Sequence, residues 1–129
     1  MDTISEMLTN IKNAQARGHE ELTIAYSRIR VEIAKVLKRE GYLGEFQILE
    51  DEGKKDIKIF LVYDEADAPA IRSIKRVSKP GRRVYKGFKN IHRVLNGMGL
   101  SLISTSQGIL TDKEARKKKL GGEIICELY

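Results

Sequence analysis

Three hydroxyl side chains stand in a row at Ser104, Thr105 and Ser106, followed by Gln107 and the turn residue Gly108. Short hydroxyls both donate and accept hydrogen bonds, and they let a backbone come close to its ligand. That chemistry suits an RNA minor groove, where ribose 2′-hydroxyls and shallow base edges are read through shape and small polar groups. An isolated Ser-Thr-Ser is ordinarily a turn that satisfies its own backbone. Here alternating Leu100 and Leu102 lead into the run, and a second apolar strand over Glu123 to Tyr129 follows, so its position is fixed. In extended backbone Ser104 and Ser106 share one face while Thr105 points away. Glycines at Gly108, Gly121 and Gly122 keep the approach unobstructed, or simply serve turns. Glu123 is the odd member, since a carboxylate repels phosphate. Its use there would be to accept from a base amino group or to bond backbone, which makes it a residue that chooses the site.

Charge gives the run a setting. The chain carries 24 Lys+Arg against 18 Asp+Glu, a net +6, but the two halves differ. Residues 1–68 hold 10 cations against 14 acids, a balance of −4; residues 69–129 hold 14 against 4, a balance of +10. No acid occurs between Asp67 and Asp112, a gap containing Arg72, Lys75, Arg76, Lys79, Arg82, Arg83, Lys86, Lys89 and Arg93. Solvated surfaces mix both signs, whereas a long acid-free basic stretch is a footprint for a polyanion. Lys79 and Arg83 are the candidate phosphate contacts, which position rather than specify. Tyr85 either stacks on an exposed base or lies on the core. Earlier in the chain Ser27, Arg28 and Arg30 crowd the start of a helix, where free backbone N–H groups suit a phosphate.

Other chemistries find little support. Ser104 or Ser106 with His92 and Asp112 makes a triad only on paper, because no Gly-x-Ser-x-Gly elbow is present. His19 and His92 are the only histidines and Cys126 the only cysteine, so zinc-ligand spacing and an internal disulfide are both excluded. Cys126 reads as small core filler in its apolar strand. No apolar run approaches the roughly 18 residues of a membrane span, and the amino terminus lacks a signal-peptide core. The expectation is a non-enzyme without cofactor or metal that stays in the cytoplasm.

The elements that must hold these residues follow from periodicity and breakers. A helix is predicted from Thr3 to Ala16, opened by a Thr3/Glu6 capping box and ended near Gly18. A strand over Leu22 to Tyr26 precedes a second helix, capped by Ser27, apolar through Ile29, Ile33, Val36 and Leu37, and stopped at Gly41. Tyr42 to Leu49 and Ile57 to Tyr63 form a hairpin around residues 51–54. Asp64 to Ala70 reads as a linker. Beyond it come a strand over Ile71 to Val77, a turn at Lys79-Pro80-Gly81-Arg82, a short strand over residues 83–85, and a brief helix over Ile91 to Leu95 capped by Asn90. Thr111 and Glu114 fit a capping box that opens a last helix, basic at its end, with Gly121 or Gly122 taking the left-handed position after it. The fold class is α+β in two small lobes. Residues 1–63 form an α-β-α-β-β lobe, 64–70 the linker, and 71–129 a basic lobe of mostly β structure with short helices.

Several motifs carry a resemblance along nearly the whole chain. They are Asp2-Thr3-Ile4, Met7-Leu8-Thr9, Lys38-Arg39-Glu40-Gly41-Tyr42, Ser78-Lys79-Pro80-Gly81, Arg93-Val94-Leu95-Asn96-Gly97, Ser104-Thr105-Ser106-Gln107-Gly108, Leu110-Thr111-Asp112-Lys113-Glu114-Ala115-Arg116 and Gly121-Gly122-Glu123. In this order they resemble the eighth protein of the small ribosomal subunit, bacterial type. Three positions depart from that pattern: Thr3 and His92 stand where proline is usual, and Arg82 where an aliphatic residue is common. The resemblance implies a structural constituent of the small ribosomal subunit, a primary binder of the central domain of its rRNA. It implies docking on a helix with an irregular internal loop, through Ser104, Thr105, Ser106 and Gly121-Gly122-Glu123. Asn13, Ser27, Arg28 and Arg30 would meet further RNA. The implied partners are that rRNA and neighbouring small-subunit proteins; some bacterial members also bind their own operon's messenger RNA and repress it.

The leading reading from residues and resemblance together is a structured-RNA binder that assembles the subunit. Its rivals are a regulator acting mainly on messenger RNA, and a DNA-binding protein that uses the helix from Ser27 to Glu40 in a major groove. Glu32 and Glu40 on that helix, and the location of the basic stretch elsewhere, weigh against DNA.

Overall fold

The computed structural model describes residues 3–129, so Asp2 of the first motif lies outside the described residues. The chain divides into two compact units, Met1–Ile71 and Arg72–Tyr129. The uncharged residues Pro69, Ala70 and Ile71 separate the two charge blocks, so the balances of −4 and +10 belong to the first and second unit respectively.

In the first unit α1 (Thr3–Ala16), β1 (Glu21–Ala25), α2 (Arg28–Arg39), β2 (Leu43–Asp51) and β3 (Lys54–Leu61) follow in the expected order. The strands form an antiparallel sheet in the order β1-β3-β2. Ile57, Ile59 and Leu61 alternate inward along β3, and the helices bury Met7, Leu8, Ile11, Val31, Ile33, Val36 and Leu37. Both helices close with a left-handed glycine. Gly18 (φ 71°) and Gly41 (φ 83°) are each followed by a residue whose N–H reaches back into the last turn, His19 to Ala14 and Tyr42 to Leu37. The β2–β3 hairpin turns through Glu52 and Gly53, both at positive φ, the backbone that a two-residue hairpin favours.

Residues 64–70 are a closed turn inside this unit. Asp64 accepts the N–H groups of Ala66 and Ala68 on one carboxylate oxygen, Tyr63 pairs with Pro69, and Ala70 N–H donates to Val62 O at 2.9 Å.

The second unit contains β4 (Ile74–Arg76), β5 (Tyr85–Lys86), β6 (Leu100–Thr105), β7 (Gly108–Thr111), α3 (Asp112–Lys118) and β8 (Gly122–Leu128). Its antiparallel sheet runs β4-β8-β6-β7, and β5 adds to β8. Ile103 and Ile124 meet Ile91 and Ala115 of α3 in a buried cluster, with Val77 and Val84 packed against it. Thr111 and Glu114 exchange both capping bonds, at 3.2 and 3.1 Å. Buried Cys126 pairs with Leu102, and burial pushes its thiol up to about 12, which fits core filler.

Four expectations need correction here. The chain between Gly108 and Thr111 is a strand, where the sequence had suggested only a turn before the helix. Ile91 to Leu95 is not a helix: Asn90 ends a short 3-10 turn, Ile91 (φ −84°, ψ 112°) and Val94 (φ −96°, ψ 124°) are extended, and a second turn spans Leu95–Gly97. Packing of Ile91 into the cluster beside Ala115 outweighs the weak local helix preference. The predicted strand over Ile71 to Val77 shortens to Ile74–Arg76. The left-handed residue closing α3 is Lys119 (φ 57°), while Gly121 and Gly122 have no positive φ and serve a different purpose.

Candidate nucleic-acid interface

One irregularity in the β6–β8 ladder sets the site. Leu102 pairs with Cys126 but Ile103 pairs with Ile124, so Ile125 is an extra residue and the alternation shifts by one. Ile103 and Ile124 therefore face the buried cluster together, and the next row, Ser104 opposite Glu123, presents the other face. Glu123 is also opposite Tyr85 of β5. Register partners in antiparallel strands share a face, so Tyr85, Glu123 and Ser104 form one row across β5, β8 and β6.

The two glycines before Glu123 make this row possible. A Cβ on Gly122 would lie 2.0 Å from Ser104 O, and one on Gly121 would lie 2.5 Å from Lys86 O and 2.8 Å from Gly87 Cα. The space that the sequence reading left open for a ligand is thus filled by neighbouring backbone. Gly108 (φ 95°) is the glycine required by its own conformation, and its missing side chain faces open space.

The hydroxyl run separates into distinct jobs. Thr105 Oγ1 donates to Gly108 O at 2.8 Å and accepts from Gln107 N–H at 3.1 Å, so it holds the hairpin tip together. Ser104 is half-buried and Ser106 and Gln107 are exposed. Neither serine hydroxyl hydrogen-bonds another described residue, which leaves both available to an external partner. Tyr85 stands 68% exposed, so its ring is not on the core. Of the two readings of Tyr85, the core position is thereby set aside.

Glu123 is held on both sides. Its Oε2 accepts from the hydroxyl of Ser78 and, at 3.1 Å, from Arg83 Nη1. Lys79 is exposed in the turn closed by its mutual backbone bonds with Arg82. The chain then runs through Arg83 and Val84 into Tyr85.

In the first unit the candidates part company. Ser27 Oγ caps α2 by accepting from Arg30 N–H at 3.2 Å. Arg30 is 4% exposed, and its guanidinium donates to Thr3 O at 3.2 Å and Ala25 O at 2.9 Å while pairing with Glu6 at 3.6 Å. Arg30 is therefore a buried clamp between α1, β1 and α2, and it is withdrawn as a phosphate contact. The signal was in the spacing: Arg30 shares its helical face with buried Ile33, Ala34 and Leu37, whereas Arg28, two residues earlier, faces out. Asn13 and Arg28 remain on the surface. The paper triad also dissolves, because Asp112 is buried against Ser101 N–H and Arg116 while His92 is exposed. Ser78, which the sequence marks only as the first residue of the Ser78-Lys79-Pro80-Gly81 motif, gains a role in the site that its position between an apolar strand and a Pro-Gly turn does not announce.

The arrangement can present hydroxyls for hydrogen bonding, an aromatic face for stacking and one fixed carboxylate amid cations that attract an anion. No helix among the described residues is long and apolar enough to cross a membrane.

Comparison with known proteins places the chain in a family. The family model for ribosomal protein S8 matches residues 2–129. The small ribosomal subunit protein uS8 of Geobacillus kaustophilus is 48% identical over 128 residues, covering 99% of this chain and 97% of that protein. Its counterparts in Anaeromyxobacter sp. (strain K) and Syntrophus aciditrophicus are 48% and 46% identical, each with 99% of this chain and 97% of the relative covered. The chain belongs to the ribosomal protein S8 family, a family of small-subunit ribosomal proteins.

Proposed function

We propose that the second unit docks on a helix in the central domain of small-subunit rRNA and so helps assemble the subunit. The observation that carries this is the row Tyr85–Glu123–Ser104, one strand-end from the exposed Ser106-Gln107 tip, in a unit whose balance is +10. Cations hold the phosphates, Lys79 foremost. The Ser104 and Ser106 hydroxyls meet ribose hydroxyls and base edges, Tyr85 stacks on an unpaired base, and Glu123 accepts from an amino group. Asn13 and Arg28 supply a secondary contact from the first unit.

The test is binding of the purified protein to the isolated central-domain helix and to a scrambled helix over a salt series. Discrimination of about a thousandfold at moderate salt is expected of a specific site. Ser106→Ala should lower cognate binding while leaving the salt slope unchanged, and Lys79→Ala should weaken both RNAs and reduce the slope by about one charge. Equal effects of both changes on both RNAs would remove the hydroxyls from recognition.

A further inference from the structure

Ser78 is 0% exposed, yet its hydroxyl is the inner support of the proposed interface. It follows β4 and is anchored beside β8 by its own N–H, which donates to Ile124 O at 3.0 Å. Its Oγ makes two bonds in opposite senses. It donates to Glu123 Oε2, and it accepts from Val84 N–H at 3.2 Å. Val84 lies between Arg83, which completes the grip on the same carboxylate oxygen, and Tyr85, the exposed ring of the row. One hydroxyl thereby ties together the backbone that sets Arg83 and Tyr85 and the carboxylate between Tyr85 and Ser104.

We propose that Ser78, which cannot itself touch RNA, is the positioning residue that fixes Glu123 as a hydrogen-bond acceptor on this face. The proposal rests on the reading of that face as an RNA site. An unrestrained carboxylate in this basic unit could leave Arg83 for other rotamers, and would then present no defined acceptor to a ligand. With Oε2 engaged from inside by Ser78 and from outside by Arg83, the acceptor capacity that remains has a set direction. It selects a ligand N–H or O–H, an exocyclic base amino group or a ribose hydroxyl, and repels an acceptor. Arg83 alone would not do this, because its half-exposed side chain would carry the carboxylate outward.

The experiment uses the full chain with the central-domain helix and its scrambled form, read by fluorescence anisotropy over a salt series. Wild type is compared with Ser78→Ala, Glu123→Gln and the double variant. Ser78→Ala should lower cognate affinity roughly tenfold, the size of one charge-assisted hydrogen bond, with scrambled binding and salt slope unchanged. The double variant should lose no more than Glu123→Gln alone, because Ser78 acts through that carboxylate. Additive losses, or equal losses on both RNAs, overturn the positioning role. A readout without RNA separates the two readings: in Ser78→Ala the Val84 amide should exchange faster and the Glu123 carboxyl carbon resonance should move. If wild type fails to discriminate while both signals move, the RNA reading falls and the positioning of Glu123 stands. If neither signal moves, the positioning falls whatever the RNA result. Should Ser78→Ala not fold, Ser78→Cys keeps the volume with a weaker donor and carries the same comparison.

Discussion

Replacing Gly122 by alanine adds one carbon at the tightest approach in the second unit. That Cβ would lie 2.0 Å from Ser104 O and 2.9 Å from Ser104 C, about 1.4 Å short of the 3.4 Å at which ordinary contact begins. The obstacle is backbone in the middle of a sheet, so no rotamer change relieves it, and β6 must move from β8. Overpacking of this kind costs about 1–3 kcal/mol. Parting the strands beside Ser104 and Glu123 weakens one or two ladder hydrogen bonds, roughly 1 kcal/mol each. Alanine returns only about 0.4–1 kcal/mol by narrowing the unfolded ensemble. The net expectation is a loss of roughly 2–4 kcal/mol, which at about 4 °C per kcal/mol lowers the melting temperature by roughly 8–15 °C. Gly87→Ala is the control. Gly87 has φ −72° and ψ 159°, which any residue adopts, and its added carbon would meet nothing within 4 Å. Urea and thermal unfolding followed by circular dichroism would compare the two, with amide exchange over residues 102–104 and 122–125 locating the damage. A Gly122→Ala stability within about 0.5 kcal/mol of Gly87→Ala would refute the claim that the glycine exists for strand approach.

Two further expectations follow from groups inside the units. Arg30→Met removes a buried guanidinium that serves Thr3 O, Ala25 O and Glu6, and should cost about 2–4 kcal/mol in urea unfolding. Its RNA affinity, measured where the variant is folded, should stay within about twofold of wild type; a large loss there would return Arg30 to the interface. Burial raises the Cys126 thiol from an ordinary 9.0 to about 12, so the folded chain should resist a disulfide reagent at pH 8 and react fully in urea. Because the unfolded thiol ionises first, the stability due to the buried neutral thiol is complete below pH 9 and is lost as pH rises toward 12. Alkaline unfolding should therefore be steeper for wild type than for Cys126→Ala, and equal slopes would argue against this origin.

What the sequence made legible was whatever local chemistry decides. The Thr111/Glu114 capping box, Ser27 as the cap of α2, and the glycines ending both helices of the first unit are short-range arrangements, and the residue types name them. The hairpin at Glu52-Gly53 and the Lys79–Arg82 turn belong with them. Where distant packing decides, the letters mislead. Asn90 before an apolar run has the pattern of a cap, but Ile91 is needed flat against Ala115 and the helix never forms. Arg28 and Arg30 read as a pair of phosphate ligands, although their two-residue spacing puts one outside and the other under α1.

The Gly121-Gly122-Glu123 segment joins the two kinds of information. As letters, two glycines before a carboxylate suggested an unobstructed path for RNA. In the structure the path is taken up by Lys86, Gly87 and Ser104 backbone, and that occupation is what brings β5 and β6 against β8. Remove the close approach and Tyr85, Glu123 and Ser104 no longer stand in one row. On the proposed reading of this face, the glycines would act on recognition through strand spacing, Ser78 through the carboxylate it holds, and Thr105 through the hairpin tip it closes. On this account a variant at any of the three should harm binding without contacting RNA. It should also do so with the salt slope intact, since no phosphate contact is lost. A reduced slope from Gly122→Ala or Ser78→Ala would mean that these residues shape the cationic surface itself, and the division between positioning and holding would have to be redrawn.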